Sequence, residues 1–523
     1  MWLIFITQVL AVVQMNPETR MFIDGYNRSL ILHGVNVVVK APPYIPITTY
    51  FDPQMSLCPE DINNLVTWGI NFVRMGVMWE AVEKSPGVFD MDYLGNMTTL
   101  INQLGQQGIW TLIDAHQDAY SRHICGEGIP GFYSNNLTNT CSGLFGELLE
   151  SIGACVPFSN FNYSIDPSTG YPYISQCQSR SFVEYFDTPQ AADGYSRIYK
   201  NTFELQDRFN QFWNVTSAHF ASNQYVIGYD ILNEPLQANM VTEPWVRIPG
   251  VNDFVNLQPL YKRITETIRT NDDGKIIFFE PIQADLLPYL GGMVFPIGFN
   301  DTPGGQPYNN RQVLNDHSYC CQGRKDICKN GEPPLEEKTF CDSLNFNRVT
   351  SRSIDARLLN VGLIITEFGA CFDSQNCINE ITSVTDACDK NLAGWAYWMF
   401  KGFGDFTTTG GLLEGFYNNQ TLQQGKVKAL SRTYALYYQG TPNFVDFEVN
   451  TGIFRTNFTV DAKVSMPTVL FASKEFFYPN GVNITVYSSL NLKYTINNKG
   501  NNYYEVLFTS PQSAEASIIL SSL

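Results

Sequence analysis

The chain has 523 residues, of which 44% are hydrophobic and 14% aromatic, and its formal net charge is −17 with a pI of about 4.7. This size favours one large domain with a smaller one beside it, since a single hydrophobic core rarely serves so many residues. The excess of acidic residues argues against binding to nucleic acid, whose phosphates require a basic surface, and against electrostatic attachment to anionic membranes.

Residues 1–14 are typical of a secretory signal peptide. An apolar stretch from Trp2 to Val13 has the length of a signal-peptide core, although a basic start and a clear cleavage site are missing. The alternative is an N-terminus that is truncated or starts at the wrong residue. No later stretch is long and apolar enough to span a bilayer, so we expect no transmembrane segment in the mature chain.

Eight short apolar runs follow, separated by stretches of helical periodicity. The runs lack strict alternation, as expected of strands buried on both faces of a parallel sheet. They cover residues 30–40, 71–79, 109–118, 225–235, 275–281, 312–319, 362–369 and 394–401. Helical spacing occurs in residues 59–69, 91–106, 200–221, 254–270 and 376–391. Eight such units predict an α/β fold, a (β/α)8 TIM barrel over residues 15–432, with its chemistry at the carboxyl ends of the strands.

Two further segments stand out by composition. Residues 119–200, between the third and fourth runs, are rich in Gly, Ser, Asn, Tyr and Cys, and disulfides could hold them as a lid over the barrel mouth. After about residue 432 short strands alternate with turn residues, the first in 445–460 and the last in 503–510. Residues 433–523 therefore predict a C-terminal antiparallel β-sandwich domain.

Twelve cysteines and nine Asn-x-Ser/Thr sequons indicate an oxidising secretory route. We expect a secreted protein, in the extracellular space or a digestive lumen, with the lysosome as an alternative. All twelve cysteines are expected to be oxidised; Cys371–Cys377, and Cys320 or Cys321 with Cys328, are the expected local pairs, but connectivity stays open. Five histidines and the lack of paired C-x-x-C knuckles argue against zinc, and no metal or cofactor is expected.

Two glutamates follow otherwise apolar runs: Glu234 ends the fourth run and Glu367 the seventh. Glycoside cleavage with retention of configuration needs two carboxyl groups about 5–5.5 Å apart, one protonated and one ionised. A solvated rim position is the ordinary explanation for one such glutamate, but the pair favours catalysis, with Glu234 as general acid/base and Glu367 as nucleophile. Glu280, at the end of the fifth run, is expected to one side on the rim.

Polar residues at the same strand ends are expected to support these carboxylates. Arg74 is predicted to pair with Glu367 and lower its pKa, the alternative being a structural ion pair elsewhere. Glu234, with no cation among its strand neighbours, is predicted to have a raised pKa. The other candidates, expected to contact the sugar or orient the nucleophile, are Lys40, His116, Asp118, Asn233, His317, Tyr319 and Trp398. A core position is the alternative for Trp398, and a solvated one for Lys40.

The motifs ILNEP and ITEFG around the two glutamates resemble glycoside hydrolase family 5, and DAHQDAYSRHICGEGIPGFY (114–133) resembles the endoglycoceramidases within it. GWAYWMFKGFGD and GKVKALSRTYALYYQG are similar too, so the resemblance covers nearly the whole chain. It implies hydrolysis of the β-linkage between oligosaccharide and ceramide in glycosphingolipids, with peripheral contact to lipid surfaces or micelles. It also implies sugar contacts by Lys40, His116, Asp118, Asn233, Tyr319 and Trp398.

One residue departs from the family pattern. Phe186 stands where the family tends to have a Trp. A Phe keeps apolar stacking but lacks the indole N–H donor, so the preferred first sugar stays open.

Two other functions stay open. A β-glucosidase acting on other glycolipids, such as steryl glucosides or glucosylceramide, could use the same scaffold. A carbohydrate-binding protein without catalysis is disfavoured, because both carboxylates and their supporting residues are present.

Overall fold

The computed structural model describes residues 13–138, 141, 144–151, 155–181, 183–283, 294–321, 332–407, 414–509 and 511–523. The expected signal peptide lies almost wholly outside these residues, as does Cys328. Among the helices of the described part, none is both long and apolar enough to cross a membrane.

The secondary structure alternates strands and helices before a run of strands. The first strands are β1 (Gln14–Met15), β2 (Phe22–Ile23), β3 (Ser29–Leu30), β4 (His33–Val37), β5 (Phe72–Gly76), β6 (Glu83–Ser85), β7 (Val88–Phe89), β8 (Trp110–Asp114), β9 (Val226–Asp230), β10 (Ile276–Phe279), β11 (Gln312–Ser318), β12 (Gly362–Phe368) and β13 (Gly394–Tyr397). The later ones are β14 (Tyr417–Asn418), β15 (Thr421–Leu422), β16 (Tyr434–Tyr438), β17 (Gly440–Glu448), β18 (Ile453–Val460), β19 (Thr468–Phe471), β20 (Val482–Ser488), β21 (Tyr494–Gly500), β22 (Tyr503–Phe508) and β23 (Ala514–Ser522). The α-helices are α1 (Pro59–Thr67), α2 (Trp79–Val82), α3 (Met91–Gln106), α4 (Leu144–Ser151), α5 (Ile174–Cys177), α6 (Val183–Phe186), α7 (Pro189–Lys200), α8 (Leu205–Phe220), α9 (Gln258–Asn271), α10 (Lys338–Leu359), α11 (Gln375–Asn391) and α12 (Gln424–Leu430).

Eight parallel strands close into a barrel in the order β4-β5-β8-β9-β10-β11-β12-β13. Each of the eight predicted runs contains one of these strands, so the TIM barrel is confirmed. The observed strands are shorter than the runs: β4 ends at Val37, although Val38 and Val39 are also buried. Hydrophobic burial continues past the last strand residue, and a run of apolar residues therefore overestimates strand length.

The helical periodicity locates helices better than it locates their ends. Helix α3 coincides with the predicted 91–106, and it begins where the Asp90 side chain accepts a hydrogen bond from the backbone N–H of Tyr93. The helix predicted over 200–221 is α8, which begins five residues later than predicted, at Leu205. The preceding helix, α7, ends at Lys200, and its C-cap residue Asn201 adopts the left-handed conformation.

The segment predicted as a tethered lid leaves the carboxyl end of β8 and carries two disulfides, Cys125–Cys177 and Cys141–Cys155. It contains short helices and ends in α7 rather than being one irregular loop. Around Cys125–Cys177 it forms a small core of its own with Ala119 and Tyr185, against which the half-buried Phe186 packs. The residue that departs from the family pattern therefore belongs to this disulfide-bonded core.

The C-terminal strands form two antiparallel sheets around a shared apolar core, as predicted. One sheet has the order β17-β18-β23-β20; the other has the order β1-β2-β3-β16-β19-β22-β21. The second sheet includes three N-terminal strands, joined through the pairing of Leu30 with Tyr437. Strands of two residues carry no readable periodicity, and this connection was not predicted from the sequence.

The predicted bridge Cys371–Cys377 is present. Cys320 bonds to Cys341, so of the two cysteines considered as partners of Cys328 it is not Cys320; Cys321 is disulfide-bonded, and Cys328 lies outside the described residues. The expectation that all twelve are oxidised is wrong, because Cys58 and Cys388 are free thiols. Both are buried, at 2% and 0% exposure, and pack in the core as small apolar side chains.

All nine sequon asparagines are exposed, which is the accessibility that N-glycosylation requires. They are Asn27, Asn96, Asn136, Asn162, Asn214, Asn300, Asn419, Asn457 and Asn483.

Candidate active site

Arg74, on β5, is fully buried at the carboxyl end of the barrel, and its guanidinium lies among four carboxylates. The N···O distances are 3.1 Å to Asp114, 2.8 Å to Asp230, 3.2 Å to Glu280 and 2.6 Å to Glu367. Burial lowers the pKa of Arg74, but these carboxylates outweigh burial and raise it well above its ordinary value. Arg74 is therefore a fixed cation that makes the predicted pair with Glu367 and also holds three other strand ends together.

Both carboxylate oxygens of Glu367 are held. Arg74 donates to Oε1 across 2.6 Å, and the Tyr319 hydroxyl donates to Oε2 across 3.0 Å, as predicted. The predicted lowering of the Glu367 pKa is wrong. Burial raises this pKa above its usual value and outweighs the opposing charges of His317 and Arg74.

Glu234 lies four residues beyond the end of β9 in a left-handed backbone conformation, with φ of 37°. Its Oε1 accepts a hydrogen bond from Nδ1 of His317 across 2.7 Å, and its backbone N–H donates to Glu280 across 3.0 Å. The sequence showed no cation among the strand neighbours of Glu234, but it could not show His317, which reaches Glu234 from β11.

His317 is a fully buried imidazole surrounded by three glutamates. Besides Glu234, it has Glu280 at 3.3 Å from Nε2 and Glu367 at 3.5 Å from Nδ1. Burial lowers the pKa of His317, but the negative charges of Glu280 and Glu367 and the hydrogen bond with Glu234 raise it well above its ordinary value. His317 is therefore an imidazolium between the two candidate catalytic carboxylates.

The two candidate carboxylates are close together. One oxygen of Glu234, one oxygen of Glu367 and one ring nitrogen of His317 all lie within 4.8 Å of one another. This oxygen–oxygen distance agrees with the short separation of about 5 Å that double displacement requires.

Glu280 does not lie on the rim, as was expected, but inside the site. Its side chain is fully buried and accepts hydrogen bonds from Arg74, from Asn315 at 3.0 Å and from the backbone of Glu234. Glu280 directly follows the last residue of β10, where the side chains of neighbouring strands converge, and two cations face its carboxylate. Burial raises its pKa, but His317 and Arg74 outweigh burial and lower it.

Lys40 is almost fully buried, so the solvated alternative is wrong. Its ammonium nitrogen lies 2.7 Å from Asp118, 3.0 Å from Asp405 and 3.4 Å from Glu127. Burial lowers the pKa of Lys40, but these three carboxylates raise it well above its ordinary value. Burial raises the pKa of Asp118, but the charge of Lys40 and a hydrogen bond with His116 outweigh burial and lower this pKa.

His116 and Trp398 stack on each other beside this cluster, with ring centroids 5.1 Å apart. Nδ1 of His116 lies 2.8 Å from Asp114; burial lowers the pKa of His116, but Asp114 outweighs it and raises the pKa to about 9. The Lys40 ammonium lies 4.8 Å from the centre of the Trp398 ring. Trp398 is only 3% exposed, so it is partly a pocket residue and partly a core residue.

Asn233 connects Arg74 with the loop that follows β8, the third strand of the barrel. Its Oδ1 accepts from Arg74 across 2.8 Å, and its Nδ2 donates to the backbone of Gln117 across 2.9 Å. All ten predicted site residues therefore lie in two adjoining groups, one around Arg74 and one around Lys40.

Five polar residues of these groups were not predicted from the sequence: Asp114, Asp230, Asn315, Glu127 and Asp405. The first two carried a signal, because Asp114 and Asp230 are each a carboxylate that ends a mainly apolar strand. Asp114 and Asn315 also stand two positions before His116 and His317, on the same face of an extended chain. Glu127 and Asp405 lie in loops, where a carboxylate in the sequence is unremarkable.

Four groups of His, Cys, Asp or Glu in the described residues have ligand atoms close enough for a metal ion. Two of them use disulfide-bonded cysteines, whose sulfurs are poor ligands. In the group of His116, Asp118 and Glu127, the Lys40 ammonium already occupies the position of a cation. The fourth group is Glu234, His317 and Glu367, whose members already contact one another: Nδ1 of His317 lies 2.7 Å from Glu234 and 3.5 Å from Glu367.

Known proteins resemble this chain over most of its length. The family model described as Cellulase (glycosyl hydrolase family 5) matches residues 48–142 and 183–404, and that of the glycoside hydrolase family 5 C-terminal domain matches residues 432–518. An endoglycoceramidase of Hydra vulgaris is 32% identical over 90% of this chain and 82% of that protein. An endoglycoceramidase of Cyanea nozakii is 31% identical over 91% of this chain and 87% of that protein.

A solved structure shares the same fold. Endo-glycoceramidase II from Rhodococcus sp., in complex with ganglioside GM3, superimposes with a TM-score of 0.70 at 21% identity, over 96% of this chain and 99% of that one.

Proposed function

The chain belongs to glycoside hydrolase family 5, and we propose that it is a retaining endo-glycosidase that hydrolyses the β-glycosidic bond between oligosaccharide and ceramide in glycosphingolipids. Relatives that match about nine tenths of the chain, those of Hydra vulgaris and Cyanea nozakii among them, are endoglycoceramidases. This favours the proposal over a β-glucosidase for steryl glucosides or glucosylceramide.

One observation supports the chemistry above all others: one carboxylate oxygen of Glu234 and one of Glu367 lie within 4.8 Å of each other, at the carboxyl ends of β9 and β12. Glu367, with its oxygens oriented by Arg74 and Tyr319, attacks the anomeric carbon. Glu234 gives its proton to the glycosidic oxygen, and the ceramide leaves as its alcohol. A covalent glycosyl-enzyme ester then links the sugar to Glu367.

Hydrolysis of this ester reverses the roles. Glu234, now a carboxylate, takes a proton from water, and the water oxygen attacks the anomeric carbon and releases Glu367. Formation of the ester neutralises the charge of Glu367. The ring of His317 then keeps Glu234 and Glu280 as its carboxylate partners, and its hydrogen bond to Glu234 holds the side chain that takes the proton.

The residues around Lys40 are proposed to bind the sugar. Lys40, after the first barrel strand, and Asp118, after the third, form a buried, oppositely charged pair beside the Trp398 ring. Such a pair offers both hydrogen-bond donors and acceptors to sugar hydroxyls. Asn233, at the same strand end as Glu234, is proposed to contact the 2-hydroxyl.

A secretory route is proposed on two grounds. The disulfides need an oxidising compartment to persist, and all nine sequons are exposed. The extracellular space, a digestive lumen and the lysosome all meet these conditions. In each of them the enzyme would contact lipid surfaces or micelles, since ceramide is anchored in them.

The proposal is tested by incubating the protein with a detergent-dispersed panel of glycosphingolipids and weighing the products by mass spectrometry. We expect intact oligosaccharide and free ceramide, and none of either with Glu367→Gln. Release of glucose from glucosylceramide and steryl glucosides, with lactosylceramide untouched, would show the β-glucosidase instead. Binding without any cleavage by the wild-type protein would show a carbohydrate-binding protein.

A further inference from the structure

Four large apolar side chains are exposed on the segment that follows Glu234. Trp245 is 48% exposed, Ile248 57%, Phe254 48% and Val255 38%. The turns of this segment are continuous: Ile248 N–H donates to Trp245 O, and Phe254 N–H donates to Gly250 O. We call residues 244–255 the apolar patch.

The apolar patch is held firmly in place. Val246 and Leu257 anchor it in the main core, at 1% and 0% exposure. The carboxylate of Asp253 accepts hydrogen bonds from the backbone N–H of Ile282 at 3.0 Å and of Gly298 at 2.9 Å. Its exposed rings are therefore displayed by a fixed backbone.

The same contacts place the apolar patch at the end of the barrel where the site lies. The patch begins ten residues after Glu234, and Asp253 binds a residue that follows Glu280 by two positions. The connections after β9 and β10 both leave the carboxyl ends of their strands, as the catalytic pair does. A surface on which this patch rests would thus face the mouth of the site.

The charge of the apolar patch differs from that of the protein. The chain carries a net charge of −17, yet no acidic residue occurs from Pro244 to Asn252. Asp253 is only 2% exposed, and Arg247 is exposed between Trp245 and Ile248. A phospholipid headgroup region offers phosphates for the Arg and an interfacial zone in which a Trp is favourable.

We propose that the apolar patch docks on the surface of a phospholipid bilayer and presents the mouth of the barrel to glycolipids embedded in it. This rests on the proposed function, because only a lipid-anchored substrate requires such a surface. Insertion of Trp245 and Ile248 to the level of the headgroups buries apolar area that is otherwise in water. Docking would add affinity for the membrane without any contact with the glycan.

The test separates membrane binding from catalysis. The wild-type protein, the double variant Trp245→Ala/Ile248→Ser and the control Leu358→Ser are mixed with glycolipid-free phosphatidylcholine vesicles, and bound protein is measured by co-sedimentation. Leu358 is 79% exposed but lies near the end of α10, just before β12 begins, and hence at the opposite end of the barrel. Each protein is also assayed on a water-soluble aryl lactoside and on vesicles containing lactosylceramide.

We expect the double variant to bind vesicles on the order of tenfold more weakly and to lose turnover of vesicle-borne lipid in proportion. It should hydrolyse the aryl lactoside like the wild-type protein, and Leu358→Ser should match the wild-type protein throughout. Equal vesicle binding by the double variant and the wild-type protein would overturn the proposal. A wild-type dimer that the double variant converts to a monomer would overturn it too, because the patch would then bind a second copy of the chain.

Failure of the proposed function has a different signature. In that case the wild-type protein would leave detergent-dispersed lactosylceramide intact, whatever its binding to vesicles.

Discussion

The Nδ1 atom of His317 lies 2.7 Å from Oε1 of Glu234, so the candidate acid/base forms a charged hydrogen bond with a buried imidazolium. The same ring faces Glu280 and Glu367. The proton that leaves for the glycosidic oxygen therefore belongs to a coupled group, and the pH profile reports the whole group rather than one residue.

Replacement of each candidate catalytic carboxylate should have a different chemical signature. Glu367→Ala and Glu234→Ala should each lower kcat by several orders of magnitude, since each removes a covalent or proton-transfer step. Azide should restore Glu367→Ala and give a glycosyl azide of inverted configuration. With Glu234→Ala and an activated leaving group, the azide product should retain its configuration, because Glu367 still forms the ester.

The configuration of these products can be read by NMR, with thermal melting as a check on folding. Glu60→Gln, on the exposed side of α1, is the matched control and should be fully active. Near-normal turnover by Glu367→Ala would show that Glu367 is not the nucleophile.

The acid side of the pH profile should depend on Arg74. Activity requires ionised Glu367. Burial raises the pKa of Glu367, and the charge of Arg74 lowers it. Arg74→Met should therefore raise this pKa further, move the acid limb of kcat/KM to higher pH and reduce turnover. Arg74→Lys keeps the charge without the several donors of the guanidinium and should show a smaller shift.

Arg74→Met also leaves four carboxylates without their cation, and Arg74→Lys serves as the folded reference if Arg74→Met does not fold. An acid limb that stays in place in a folded variant would show that Arg74 does not tune the nucleophile.

Glu280→Gln should reduce turnover, because Glu280 accepts hydrogen bonds from Arg74 and from the backbone of Glu234. The change removes a charged hydrogen-bond acceptor worth about 1.5–3 kcal/mol, which corresponds to roughly 10- to 100-fold in kcat. Three carboxylates face His317, from Glu234, Glu280 and Glu367. Loss of one of these charges lowers the pKa of His317, so the alkaline limb should move to lower pH.

A purely structural role for Glu280 would change the melting temperature without this shift of the alkaline limb. The shift, measured as kcat against pH for folded Glu280→Gln and the wild-type protein, is therefore the deciding readout.

Lys40→Met should destabilise the protein in a pH-dependent way. Loss of the cation leaves Asp118, Asp405 and Glu127 buried together, at a cost of about 3–5 kcal/mol near neutral pH. The lowered pKa of Asp118 in the folded protein contributes stability above the ordinary Asp pKa of about 3.9, and this contribution is lost as pH falls. The deficit of the variant should therefore shrink toward acidic pH.

Urea unfolding of both proteins at several pH values measures this deficit. Lys84→Met is the control, because Lys84 is 49% exposed and its pair with Asp90 spans 3.6 Å. Its cost should stay below about 1 kcal/mol at every pH. An equal and pH-independent cost for the two variants would contradict the buried charge cluster.

Among the cysteines that the structure describes, alkylation should find two thiols, and only after unfolding. Cys58 and Cys388 are buried, and burial raises the pKa of the Cys388 thiol well above its usual value, so neither should react in the native protein. In denaturant without reductant, peptide mass mapping should show label at these two positions. Label at Cys125 or Cys177 before reduction would contradict the disulfide between them.

The sequence predicted what depends on local pattern. Eight barrel strands followed from apolar runs, and Glu234 and Glu367 followed from single carboxylates at the ends of such runs. The error over Glu280 has a different origin. Its burial depends on cations from β5 and β11, and no pattern along its own strand records the approach of those strands.

Magnitudes were harder to predict than contacts. The pairing of Arg74 with Glu367 was predicted, but the direction of the Glu367 pKa was not, because it depends on how completely the site is buried. Lys40 shows the same limit, since a lysine that ends a strand is usually solvated. Only the convergence of three acidic side chains on it, one of them from beyond β13, explains its burial.

The pairing of β3 with β16 constrains the order in which the protein can be assembled. During synthesis Leu30 emerges long before Tyr437, and at the usual rate of ribosomes the interval is on the order of tens of seconds. For that time β1, β2 and β3 have no sheet to join, whereas the barrel strands meet their neighbours one after another. The barrel should therefore form first, and the mixed sheet should form last. Until then β1, β2 and β3 present an unpaired edge that needs chaperone protection.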